Sequence, residues 1–252
     1  MPKLHVVYED NHILVVIKPP NILSQGDDTG DPSMVDIAKQ YLKDTYHKPG
    51  NVYLGLVHRL DRPVAGLLLL AKTSKAASRL SQALVNKEIR RSYFAIAEGD
   101  FSGGILEHNL LQDARGFIIA ANKEDSQAKR AVLRASVIAQ KENSTLCYVE
   151  LATGRKHQIR AQFQLAGHPL RYDMRYGHGQ AGKQIALYGA SLSLLHPTTK
   201  EPLLFVSDPL QDAHINSFAP YKKELKKFLE ALGEEHERST GANHISFHKK
   251  EL

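Results

Sequence analysis

His58-Arg59-Leu60-Asp61-Arg62-Pro63-Val64-Ala65-Gly66-Leu67-Leu68-Leu69-Leu70-Ala71-Lys72 sets one acid between two arginines and then runs into apolar sequence. The leucine run reads as a buried strand. Charges do not usually open such a strand, because each one taken out of water needs a partner. Asp61 has partners in Arg59 and Arg62, and nearby positive charge keeps a carboxylate ionised in a pocket. A carboxylate held that way suits a nucleophile or a base. A structural ion pair at a strand end would use the same residues, so the local pattern leaves both roles open.

Composition bounds the rest. The chain has 252 residues, enough for one large domain or two small ones, and its 42% hydrophobic content supports a sizeable core. Lys and Arg number 33 against 27 Asp and Glu, a net charge of +6. That balance favours a polyanionic partner without requiring one. A single cysteine, Cys147, excludes an intramolecular disulfide; in Thr145 to Leu151, a predicted strand, it reads as a small buried hydrophobe. The N-terminus lacks an apolar signal region, and no apolar run has the length of a membrane span. A cytoplasmic protein with no membrane partner is expected.

Four strings carry a family resemblance. The word His58-Arg59-Leu60-Asp61, followed by Gly66-Leu67-Leu68-Leu69 and Ala71-Lys72, resembles the central motif of the RluA family of RNA pseudouridine synthases. Upstream, Tyr8 to Pro20 is similar to the family's opening strand that ends in Lys-Pro. Downstream, Arg91-Ser92-Tyr93-Phe94-Ala95 is similar to its basic-x-Tyr-x-Ala strand, with Arg91 where Lys is common. Last come Leu151 to Arg160 and Gly167-His168-Pro169-Leu170, with a weaker echo at Leu195-His196-Pro197-Thr198. Two departures stand out. Arg171-Tyr172-Asp173 replaces the usual Gly-Asp, putting Tyr172 at a turn-glycine position. The chain is expected to start at the catalytic region, without the small RNA-binding domain that some relatives carry in front.

The resemblance implies an isomerase that converts uridine to pseudouridine in ribosomal or transfer RNA without metal or cofactor. It implies an α+β pseudouridine synthase fold: a large mixed, mainly antiparallel sheet with flanking helices and a central catalytic cleft. The family's catalytic aspartate falls on Asp61, its tyrosine on Tyr93 and its catalytic arginine on Arg160. The residues support these assignments on their own terms. Tyr93 shares a strand face with the small Ala95 and Ala97, leaving room for a stacked base. Arg160 flanks a helical stripe of Ile159, Phe163 and Ala166 and could grip the Asp61 carboxylate with two parallel hydrogen bonds. His58, Arg59, Arg62 and Arg155 are candidate substrate contacts, Arg155 near a helix start where anions are favoured. Lys87, Arg90 and Lys156 are further candidates for phosphates. The catalytic region is expected over residues 1–220, acting as a monomer.

Periodicity predicts strands over His5 to Tyr8, Ile13 to Lys18, Arg91 to Glu98, and a hairpin of Val132 to Ile138 with Leu146 to Leu151. Helices are predicted after Ser33, after a Ser74 cap, and after Thr153, with Gly167 as a stop. Residues 101 to 130, Gly-rich and charged, allow short strands at best. Residues 221–252 read as a C-terminal helix, stopped at Gly233, and a flexible polar tail whose histidines lack metal spacing. The helix's Lys222, Lys223, Lys226 and Lys227 read as a solvated face.

Rival functions are weaker. Gly177 to Gln184 approaches a phosphate-binding P-loop but ends in Gln184, which has no hydroxyl for Mg²⁺. A hydrolase pairing His58 with Asp61 would need a nucleophile, and no Gly-x-Ser-x-Gly elbow occurs. A catalytically inactive RNA-binding protein of the same fold is the alternative, against which Asp61, Tyr93 and Arg160 all stand intact.

Overall fold

A computed structural model describes residues 3–212, 215–240 and 245–248. In chain order the described residues form β1 (His5–Glu9), β2 (Ile13–Lys18), α1 (Met34–Tyr46), β3 (Gly55–Leu56), β4 (Ala65–Ala71), α2 (Ser74–Val85), β5 (Arg90–Glu98) and β6 (Gly104–Gln112). Then follow β7 (Ile118–Ala120), β8 (Lys129–Lys141), β9 (Ser144–Leu151), α3 (Gln158–Leu165), β10 (Leu187–Leu195), β11 (Pro202–Ser207), α4 (Lys222–Thr240) and β12 (Ile245–His248). The fold is α+β, as expected, with a mixed, mainly antiparallel sheet in which β11 and β12 run parallel.

The chain divides into two compact units: Met1–Arg90, Gly189–His214 and Leu229–Leu252 in the first, Arg91–Tyr188 and Ile215–Phe228 in the second. In the first unit β2 pairs with β1 on one side and β4 on the other, and all of β2 and β4 is buried. A continuous apolar run forms such a strand because both faces are covered. Leu67, Leu69, Ile13, Val15 and Ile17 pack with Ala76 and Leu80 of α2 and with Phe205 of β11. Ser33 caps α1 in a reciprocal capping box with Asp36. The cap of α2 is Thr73, one residue before the Ser74 that periodicity suggested.

In the second unit β9 pairs with both β5 and β8, and β8 pairs with β6. The β8–β9 hairpin turns at Glu142 and Asn143, both with positive φ (47° and 57°), the two-residue turn that matches strand twist. Phe163 is fully buried, and Ala161 of α3 packs with Leu110, Ile118, Ala131 and Tyr176. Cys147 is buried and unpaired in a disulfide, its thiol pushed up to about 12 by burial.

Three expectations need correction. Residues 104–112 form a nine-residue strand, not a short one, because seven of its positions pair with β8. Helix α3 begins at Gln158, after a loop over 153–157, rather than directly after Thr153. Helix α4 does not stop at Gly233 but continues to Thr240. Its lysines at 222, 223, 226 and 227 are exposed, and Leu225 and Leu229 are buried. Of the expected polar tail, residues 234–240 continue α4 and 245–248 form β12, while 241–244 and 249–252 lie outside the described residues. No described helix is long and apolar enough to cross a membrane.

Candidate active site

Asp61 does not sit on the strand itself. It lies in a turn four positions ahead of β4, closed by Val64 N–H donating to the Asp61 carbonyl at 2.9 Å. Asp61 is half-buried, Arg59 and Arg62 are exposed, and Leu60 is buried. The segment after β2 fixes this loop. Ser24 Oγ donates to the Leu60 carbonyl (2.8 Å) and accepts from Leu60 N–H (3.0 Å). Asn21 N–H donates to the Arg62 carbonyl at 2.8 Å. Lys18, with no exposed surface, donates its ammonium to the carbonyls of Pro19 (3.0 Å), Ile22 (2.7 Å) and Arg62 (3.0 Å). Burial pushes Lys18 down to about 7; the Asp61 charge opposes that shift and the Arg62 charge adds to it. Sequence reading saw the Lys-Pro word but not this role; a lysine closing an otherwise apolar strand was the available signal.

His58 is buried at 5% exposure, and its Nε2 accepts from the Leu69 backbone N–H at 3.2 Å. That contact braces β4 against the loop. Arg62 forms an exposed ion pair with Asp31 at 2.6 Å. Gly66 (φ 125°) is required where it stands, since a Cβ there would collide with the Gly189 backbone.

In the second unit, Arg160 is 5% exposed on α3. Its two-pronged contact is with Asp173: Nε donates to Oδ2 at 2.8 Å and Nη2 to Oδ1 at 2.7 Å. Asp173 also accepts from the backbone N–H groups of Arg175 (2.8 Å) and Tyr176 (3.1 Å). Burial works to raise the Asp173 carboxyl, but the Arg160 contacts and these N–H donors hold it below the usual carboxylate range. The Arg160 guanidinium lies 5.2 Å from the Tyr176 ring centre. Tyr176 in turn meets His157 Nδ1 at 2.9 Å and accepts from Ile118 N–H at 2.9 Å. This two-pronged contact forms because the turn after Leu170 presents the buried Asp173 carboxylate to α3. Tyr172, next to it, does hold the left-handed conformation (φ 64°) expected of a turn glycine.

Tyr93 is 7% exposed on β5, opposite Val149 of β9. Arg155 is exposed, with Nε donating to the Arg130 carbonyl at 3.1 Å. Gly154 leaves space for the Arg91 guanidinium, which a side chain at 154 would strike. Lys87, Arg90 and Lys156 are exposed. The Gly177 to Gln184 segment is turn and loop, with no helix after it. A phosphate-binding loop needs that helix N-terminus, so the nucleotide-hydrolase reading fails on structure as well.

Residues 12–165 match the family described as RNA pseudouridylate synthase. Ribosomal large subunit pseudouridine synthase C of Vibrio vulnificus (strain CMCP6) is 29% identical over 239 residues, covering 90% of this chain and 69% of that one. Its counterpart in Haemophilus ducreyi is 32% identical over 227 residues, covering 84% and 67%. Among solved structures, Human RNA Pseudouridylate Synthase Domain Containing 1 superposes with a TM-score of 0.66 at 20% identity, covering 89% of this chain and 95% of that one. The chain belongs to the RNA pseudouridylate synthase family. It is an isomerase that acts on RNA.

Proposed function

We propose that Asp61 is the catalytic carboxylate, with Tyr93 and Arg160 as the other members of the catalytic set. One observation carries this reading: the half-buried acid sits in a turn whose neighbours are held by Lys18, Asn21 and Ser24. Such fixing keeps a reacting group aligned. The reaction breaks the C1′–N1 bond of a uridine and joins C1′ to C5 of the same base; the C5 proton is released to water and N1 takes up a proton. No atoms are gained or lost overall. Asp61 acts by one of two routes: adding to sugar or base, or stabilising positive charge at C1′ while a proton leaves C2′.

The target base must leave its stack, at a cost of a few kcal/mol. Tyr93 then packs against it. Arg160, held by Asp173, supplies a fixed cation. Arg59, Arg62 and Arg155 take phosphates, Arg62 exchanging Asp31 for RNA, while His58 supports the loop from below. The relatives' names favour large-subunit ribosomal RNA as the substrate, with transfer RNA as the second choice. The enzyme works as a cytoplasmic monomer, residues 1–220 forming its catalytic region and 221–252 a C-terminal appendage.

Tritium release from C5-labelled uridine RNA tests the assignment. Asp61→Asn keeps size and most hydrogen bonding but removes the charge, so release should stop while RNA affinity persists. Sustained release by a pure Asp61→Asn sample would sink the mechanism.

A further inference from the structure

Lys39 and Lys43 stand one turn apart on α1 and line a groove of about 720 Å³ with Gln40, Asn51 and Tyr53. Both lysines are half-buried. Neither has an ion-pair partner among the described residues, whereas Lys72 holds Glu9 at 2.6 Å and Lys141 holds Glu224 at 2.8 Å. The one acid in the lining, Asp36, accepts from Ser33 N–H (3.1 Å) and Ser33 Oγ (2.6 Å) in the cap of α1 and keeps its charge, so two lysines face one carboxylate. Tyr53 is 49% exposed. Two like charges at i and i+4 repel each other, and half-buried cations that outnumber the nearby acid lose hydration without full replacement. An anion in the groove relieves both costs.

We propose that this groove binds a single-stranded stretch of the substrate RNA flanking the target uridine. Lys39 and Lys43, with Cβ atoms about 6 Å apart by helix geometry, hold phosphates of one strand, and Tyr53 offers a ring face to a base. The lining joins charged and amide side chains to Val52, Tyr53 and Leu54, the pairing of backbone-binding cations with a base-stacking surface that single strands use. Both of its walls lead to the Asp61 loop within one unit. Helix α1 starts where Met34 N–H donates to the Leu23 carbonyl, and the adjacent Ser24 grips Leu60. The other wall, 51–54, continues through β3 to Asp61. Seven residues, at most about 25 Å of chain, separate Leu54 from Asp61, a span that a few nucleotides of single strand bridge. The placement rests on the reading that RNA reacts at Asp61; the binding test below does not.

The test measures affinity against salt for a labelled, uridine-rich single strand of about 20 nucleotides. Lys39→Ala/Lys43→Ala should bind it about tenfold more weakly at low salt, with the slope of log affinity reduced by about 1.4. Tyr53→Ala should weaken binding about fivefold, and Tyr53→Phe should restore it because stacking needs the ring, not the hydroxyl. As a control for net charge, Lys222→Ala/Lys223→Ala removes the same two charges from an exposed face and should leave affinity and slope unchanged. An unchanged slope in the groove variant overturns the proposal, whatever Asp61→Asn does to turnover. An equal loss in the control overturns it too, because the effect would then belong to overall charge. Circular dichroism confirms that each variant is folded before it is scored.

Discussion

Lys18 places a fully buried ammonium on three backbone carbonyls, one of them from Arg62 beside the proposed catalytic acid. Its folded value of about 7 lies below the ordinary 10.5. Between those values the unfolded chain binds more protons, so this group makes stability rise with pH from about 7 to 10.5. Lys18→Met should abolish that contribution. In urea unfolding, the wild type should gain about 2 kcal/mol over the variant between about pH 7 and 9. Parallel pH profiles would show that Lys18 is not held as described. Arg160→Lys keeps a charge but cannot reproduce the fork on the buried Asp173. It should cost about 2–4 kcal/mol of stability and lower turnover more than RNA affinity. If affinity falls in step with rate, Arg160 is a phosphate contact. The acid flanked by two arginines was visible in sequence because charges beside a leucine run are unusual. Asp173 was harder to see, since its partner is 13 residues away and their meeting depends on the turn at Tyr172.

Most elements were legible from local chemistry: the Ser33 cap, the leucine strand and the β8–β9 turn each follow from residues adjacent in sequence. The misses came from non-local effects. Strand β6 draws its order from pairing with β8, which overrides a Gly-rich, charged composition. The helix expected after Thr153 starts later than that residue suggested, because the Thr153 hydroxyl accepts from Val132 N–H at 2.8 Å and donates to Gln158 Oε1 at 2.9 Å. It therefore ties the preceding loop, and His157 (φ 50°) makes the entry to the helix. Gly233 lies inside α4 and is buried, so its small size serves packing rather than termination. The strand β4 offers a test of close approach. Gly66→Ala adds one methyl against the Gly189 backbone at a φ that disfavours a side chain. It should cost more than about 3 kcal/mol or prevent folding, read from the urea midpoint. A change below about 1 kcal/mol would mean that the two strands can separate.

At the scale of the whole molecule, a net charge of +6 suits an RNA partner but does not choose among RNAs. Neither does the family, which fixes the reaction and the class of substrate. What the chain adds is an acid in a firmly held loop, a buried Arg160–Asp173 pair and a groove lined by Lys39 and Lys43. The central claim is that this protein makes pseudouridine using Asp61. Its most direct test is a map of pseudouridines in ribosomal and transfer RNA from cells lacking the gene, complemented with wild type or with Asp61→Asn. The account predicts at least one pseudouridine that disappears with the gene, returns with wild type and stays absent with Asp61→Asn expressed at the same level. Return of that modification with Asp61→Asn would contradict it.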